Sequence, residues 1–117
     1  MPDNLQLLKW LILERAMMEV SARTGENGIH IGVKNRKQHF KQEWETINVE
    51  IDGQFHEFKL KPGFWKKCPH IDNSNGERVI HDWLQKNFTL PWSKNKPPHF
   101  YLLPLDHRNF RLQLHKH

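Results

Sequence analysis

The chain is organised around residues 46–61, which read Thr-Ile-Asn-Val-Glu-Ile-Asp-Gly-Gln-Phe-His-Glu-Phe-Lys-Leu-Lys. Apolar side chains alternate with polar ones in both halves of this stretch, which is typical of a strand with one buried face. Asp52-Gly53 separates the halves, and an Asp-Gly pair favours a tight turn because glycine adopts positive φ without steric cost. The stretch therefore predicts a β-hairpin whose buried face carries Ile47, Val49, Ile51, Phe58 and Leu60.

A two-stranded hairpin is only marginally stable in water, so the remaining chain must supply a surface to pack against it. With 117 residues, the sequence is long enough for one domain, 1–117, with one core. Hydrophobic residues make up only 37% of the chain, but it has five tryptophans and seven phenylalanines. Because each aromatic ring buries a large area, we expect these rings to fill much of the core.

Before the hairpin, the pattern predicts a largely apolar helix that begins at Asp3 or Asn4 and ends near Glu19. Strands are predicted over residues 20–24 and 29–33, on either side of a glycine-containing turn. Residues 35–41 are basic and carry no clear periodicity. A solvated loop is the preferred interpretation there. Phe40 and Trp44, four residues apart, leave open a helical turn or the start of the next strand.

After the hairpin, Pro62-Gly63 indicates a turn, and residues 71–75 are expected to form a loop. Apolar residues at helical spacing predict a helix over residues 76–87. A second hairpin is predicted from residues 99–105 and 109–115. Its first strand is apolar on both faces, which predicts a central position in the sheet. The fold class is therefore α+β, with a curved antiparallel sheet or small open barrel of about five strands and two helices.

The charge balance is basic, with 18 Lys and Arg against 13 Asp and Glu and a formal net charge of +5. Such a surface attracts nucleic acid, an anionic membrane or an acidic protein. The single cysteine excludes an internal disulfide and predicts a reducing, cytoplasmic environment. The apolar run near the N-terminus is too short for a membrane span and is interrupted by Lys9, so no membrane association is predicted.

Phe64 and Trp65 lie between lysines, and this is the most suggestive local pattern in the chain. Single-stranded nucleic acid is held by cationic grooves in which bases stack on aromatic rings. We therefore expect a nucleic-acid-binding module, with the alternative that both rings are core and the lysines are merely solvated. The predicted binding residues are Lys34, Arg36, Lys37, Lys41, Lys61, Phe64, Trp65, Lys66, Lys67, Lys94, Lys96 and Arg111.

Two other classes of function stay open. One is a protein-interaction or inhibitor-type accessory protein, self-associating through the first helix or an edge strand. The other is a small metal-independent nuclease or hydrolase, which would need a histidine beside a cationic phosphate site. His30, His56, His99 and His107, with Lys59 or Arg111, are the candidates, but nothing in the spacing selects a combination, so no catalytic residue is predicted.

The best arrangement for a metal is Cys68 and His70 followed by His81. Zinc accepts these ligand types, but their spacing matches no zinc-binding pattern and a fourth ligand is missing. Neither a metal site nor a cofactor is predicted.

Overall fold

The structure, a computed structural model, describes residues 17–23, 27–72, 78–92 and 95–115. Seven strands form one sheet in the order β4-β3-β7-β6-β1-β2-β5, and two short helices accompany it in the described part of the chain. The strands are β1 (Met18–Ala22), β2 (Gly28–His30), β3 (Thr46–Ile51), β4 (Gln54–Lys59), β5 (His70–Asp72), β6 (His99–Pro104) and β7 (Asn109–Gln113). The helices are α1 (Val33–His39) and α2 (Val79–Asn87), and a 3₁₀ turn spans Pro62–Trp65.

The central hairpin is confirmed. β3 and β4 pair antiparallel with Ile51 opposite Gln54. Asp52 and Gly53 both have positive φ, 51° and 84°, as a type I′ turn requires. The alternating face is buried as expected, since Ile47 and Val49 are fully shielded from solvent.

The α+β class is confirmed, but the expectation of about five antiparallel strands is wrong. The sheet has seven strands and is mixed, because β3 pairs parallel with β7, placing Val49 opposite Phe110. The two outermost strands, β4 and β5, come into contact, so the sheet curls into a nearly closed barrel. Local pattern gives no sign of a parallel pair whose members lie about 60 residues apart, here Glu50 and Arg111.

The second hairpin is also confirmed, with β6 and β7 antiparallel. β6 occupies the fourth position of seven, and both Leu102 and Leu103, on opposite faces, are buried. A central strand meets covering residues on both sides, which is why its two faces are apolar.

Four local predictions need correction. Residues 35–39 of the expected loop belong to α1, and none of the α1 side chains is buried, so no apolar stripe marks this helix. The strand predicted over residues 29–33 ends at His30, and Val33 begins α1.

Residues 71 and 72 belong to β5 rather than to the loop expected at residues 71–75, and a strand of three residues is too short to show an alternating pattern. β1 begins at Met18, two residues before the predicted strand and within the end of the predicted first helix. Residues 3–16 of that predicted helix lie outside the described ranges.

β2 and β5 approach so closely that only glycine fits at position 28. A Cβ atom there would lie 2.6 Å from the backbone oxygen of Ile71. This close pairing aligns His30 with His70 on the outer face.

The interior is apolar, with no buried polar or charged side chain among the described residues. α2 is confirmed as the second helix and buries Ile80, Trp83 and Leu84, making contact with β2. One aromatic cluster joins Trp83, Phe88 and Phe100. A second cluster lies beneath α1 and the 3₁₀ turn and comprises Phe40, Trp44, Phe64, Trp65 and Phe110. No helix in the described ranges has the length and apolar character needed to cross a bilayer.

Candidate functional site

An open groove of about 770 Å³ lies between α1 and the segment that leads from the 3₁₀ turn into β5. Val33 and Trp65 provide apolar surface, and positively charged side chains surround them. We call this the basic groove. It is lined by Val33, Arg36, Lys37, Gly63, Trp65, Lys66, Lys67, Cys68 and His70.

Arg36 joins the two walls of the basic groove. Its Nη1 donates one hydrogen bond to the backbone oxygen of Phe64 at 3.1 Å and another to that of Lys66 at 2.6 Å. A guanidinium group bonds two carbonyls well because its donors are fixed in a plane. Arg36 therefore serves first as a clamp between two segments 30 residues apart.

Asn35 anchors the same helix to the sheet. Its side-chain amide donates to the backbone oxygens of Ile31 at 2.9 Å and Glu19 at 3.0 Å. A polar helix of seven residues has little stability alone. These bonds, with those of Arg36, hold α1 against β1 and the 3₁₀ turn, and so position Lys37 at the groove.

Phe64 and Trp65 have different roles, although they are adjacent. Phe64 is 1% exposed and packs on Phe40, with ring centroids 5.0 Å apart. Trp65 is only partly buried and lines the groove, with its ring nearly perpendicular to that of Phe64 at 5.0 Å. Phe64 is thus inaccessible as a surface for bases and acts as the support that holds Trp65 in place.

A smaller cavity of about 270 Å³ lies beside the groove and shares Arg36, Lys37 and Trp65 with it. Phe40 and Gln42 complete its lining, and we call it the side pocket. Neither the basic groove nor the side pocket is lined by a carboxylate. The combined surface therefore favours an anionic ligand that also has flat apolar parts.

Another surface cavity has mixed charge. It measures about 670 Å³, and Glu43 and Glu45 face it together with Lys41 and Arg108. Carboxylates there would repel a polyanion, so this cavity is a poorer site for phosphates. Lys41, one of the predicted binding residues, lies here rather than in the basic groove.

An ion network borders the groove at its His70 end. Asp72 accepts from Arg23 at 2.7 Å and lies 3.5 Å from the Lys61 ammonium group. The Nδ1 atom of His70 lies 2.9 Å from the backbone oxygen of Cys68, and its Nε2 lies 3.7 Å from Asp72. Partial burial lowers the pKa of His30, and the positive charges of Arg23 and His70 lower it further.

The basic groove brings together basic residues from two separate segments of the chain. Arg36 and Lys37 come from the first, and Lys66 and Lys67 come from the second. Lys61 instead pairs with Asp72, and Arg111 pairs with Glu50 at 3.1 Å on the outer face of the sheet. Lys34 and Lys96 are exposed but do not line the groove, and Lys94 lies outside the described residues.

Sequence reasoning missed several lining residues, among them Gln42 and Val33. Gln42 lies in the turn that begins three residues after the end of α1, and an isolated exposed glutamine carries no sequence signal. His70 and Cys68 line the groove as well and are not among the predicted binding residues. Within the part of the chain that the structure describes, no three His, Cys, Asp or Glu side chains are grouped to hold a metal ion.

The chain matches no protein-family model, no curated protein and no solved structure.

Proposed function

We propose that the protein binds single-stranded nucleic acid in the basic groove. One observation supports this most directly: lysines from two segments distant in the chain converge around a partly exposed tryptophan. Lys37, Lys66 and Lys67 are exposed and suited to neutralise phosphates. Trp65 provides a face on which an unpaired base stacks, which contributes about 1–3 kcal/mol per base.

A single strand suits this surface better than a duplex. In a duplex the bases are stacked on one another, and their faces do not reach a ring on a protein surface. Trp65 and the cationic side chains line the same groove, so the backbone and a base of one strand can be engaged together. A duplex would be held by its phosphates alone and would gain nothing from Trp65.

Fluorescence anisotropy with labelled single-stranded and duplex oligonucleotides, both DNA and RNA, tests the proposal at about 50 and about 200 mM salt. We expect the single strand to bind more tightly and its affinity to fall steeply with salt. Lys66→Gln with Lys67→Gln should reduce the slope of log K against log salt by about 1.4, since each lost phosphate contact changes it by about 0.7.

The matched control is the pair Lys59→Gln with Lys86→Gln. Both lysines are exposed and lie away from the groove, and their removal lowers the net charge equally. If both double variants lose affinity alike, only net charge matters and the groove is not the site. Absence of salt-dependent binding at the lower salt concentration would refute the proposed function.

The alternative functions receive less support. The dimer surface expected on the first helix lies outside the described residues. Val33 and Phe55 are the exposed large hydrophobic side chains among the described residues, at 36% and 54%, and isolated apolar residues are common on monomers. For an enzyme, His30 and His70 lie with ring centroids 6.3 Å apart, but the Nε2 atom of His70 faces Asp72 within the ion network.

A further inference from the structure

Trp65 lines two cavities. It borders both the basic groove and the side pocket, and so do Arg36 and Lys37. A ligand held against Trp65 and Lys37 therefore lies next to the side pocket. This continuity makes the side pocket part of the same binding surface.

The walls of the side pocket are held by a close-packed set of rings. Phe40 is 7% exposed, stacks on Phe110 with centroids 5.0 Å apart and an interplanar angle of 13°, and also packs on Phe64. Trp65 is in turn supported by Phe64. Because these rings support one another, the pocket keeps its shape without a ligand, and its apolar surface is suited to a flat ring.

Gln42 gives the side pocket a group that can recognise a base edge. It is exposed, follows α1, and carries both an amide donor and an amide acceptor. The edges of nucleobases present donors and acceptors side by side, which glutamine can match with two hydrogen bonds. Arg36 and Lys37 supply positive charge at the same pocket, where the phosphates next to the base would lie.

We propose that the side pocket is a nucleobase subsite in which Gln42 reads the edge of one unpaired base beside Trp65. This inference rests on the proposed function and adds a base preference to it. Stacking on Trp65 and attraction to the lysines do not depend on which base is bound, because every base has a π-face and every nucleotide has a phosphate. Gln42 is the uncharged polar side chain in the side-pocket lining, and its amide presents a donor and an acceptor together, which lets it distinguish one base edge from another.

The test uses labelled single-stranded DNA hexamers that each contain one type of base, adenine, cytosine or thymine, and an abasic hexamer of equal charge. Their length lies within the range of about 4–16 nucleotides that single-strand binding sites cover. With wild-type protein we expect the three homopolymers to differ in affinity by about 3- to 10-fold, as for one or two hydrogen bonds. Gln42→Ala should reduce this spread to less than about 2-fold while leaving the salt dependence unchanged. Gln42→Glu, an acceptor only, should shift the preference away from thymine and toward adenine and cytosine, whose amino groups donate.

Gln38→Ala is the control, since Gln38 is exposed on α1 but does not line the side pocket. It should leave the base preference as in the wild type. The subsite would be overturned if the three homopolymers still differed in affinity for Gln42→Ala, or if they bound the wild type equally. Either result would leave the proposed function intact. If the abasic hexamer binds as well as the others, stacking on Trp65 is overturned as well. If no hexamer binds, the proposed function itself falls.

Discussion

The Nη1 group of Arg36 donates a hydrogen bond to the backbone oxygen of Lys66 over 2.6 Å, and this bond connects the two basic runs of the protein. The same nitrogen bonds the oxygen of Phe64. Arg36 is thereby committed to holding the walls of the basic groove at a fixed separation. The lysines on either side, Lys37 and Lys66, are left to face a ligand.

Loss of this clamp should weaken both the fold and binding. We expect Arg36→Gln to lower the free energy of unfolding by about 1 kcal/mol, because one bond is partly buried and the other exposed. Urea unfolding measures this effect. Lys37→Gln removes the same charge from the neighbouring position and should leave stability nearly unchanged. Equal stability of the two variants would contradict the clamp.

Substitutions at Trp65 and Phe64 should have different effects, the first mainly on binding affinity and the second mainly on the free energy of unfolding. Trp65→Ala should weaken single-strand binding by about 1–3 kcal/mol and should cost less stability than Phe64→Ala, because its ring is only partly buried. Phe64→Ala should cost about 3–5 kcal/mol of stability, since it leaves a cavity in the core. Phe64→Leu, which keeps more of the volume, should fall between wild type and alanine. Anisotropy and urea unfolding on all three variants would show whether the two roles are indeed distinct.

Cys68 offers a direct probe of the groove. It is the one cysteine of the chain, it is exposed, and it lines the groove beside Lys67. We expect a saturating single-stranded oligonucleotide to slow alkylation of this thiol by iodoacetamide several-fold. Protection should vanish in Trp65→Ala at the same oligonucleotide concentration. Unchanged alkylation while anisotropy reports a bound oligonucleotide would place the ligand elsewhere.

The turn of the central hairpin should be sensitive to a single methyl group. Gly53 has φ of +84° and open space around it, so Gly53→Ala meets no clash but forces an L-residue into an unfavourable conformation. We expect a loss of about 1–2 kcal/mol in the free energy of unfolding. Gly63→Ala is the control, because Gly63 also has open space but does not adopt positive φ. A similar loss in both variants would show that backbone conformation is not the cause.

Stability should fall as the solution becomes acidic. Burial lowers the pKa of His30 below 6.5, helped by Arg23 and His70, and burial also lowers the pKa of His39. The unfolded chain then binds more protons than the folded one in the window below pH 6.5. The contribution of these neutral histidines is therefore present above that pH and is lost as pH falls toward their lower folded pKa values.

Urea unfolding at about pH 7.5 and about pH 5.5 measures this loss. The double variant His30→Gln with His39→Gln should lose less stability between the two pH values than the wild type, because glutamine stays neutral. His115→Gln, which removes one exposed imidazole, is the control. If both variants lose as much stability as the wild type between the two pH values, the two histidines are excluded as the source of the loss.

The local elements with strong patterns were predictable from sequence. The central hairpin, α2 and the second hairpin each carry an unambiguous period and a turn or end signal, and the structure confirms all three. α1 and β5 were missed because one has no buried residue and the other spans only three residues. The parallel pairing of β3 with β7 joins distant segments, and no local pattern specifies it.

At the site, the residue order alone shows which side chains carry charge and where aromatic rings stand among them. Charges and rings are chemical properties of individual residues, so composition and order suffice to find them. The fold was needed to show that Phe64 is interior while Trp65 is partly exposed, that Arg36 is a clamp, and that Lys37 meets Lys66 and Lys67 in one groove. These outcomes depend on how a nearly closed barrel packs α1 against the 3₁₀ turn, which is a matter of distances between residues far apart in the chain.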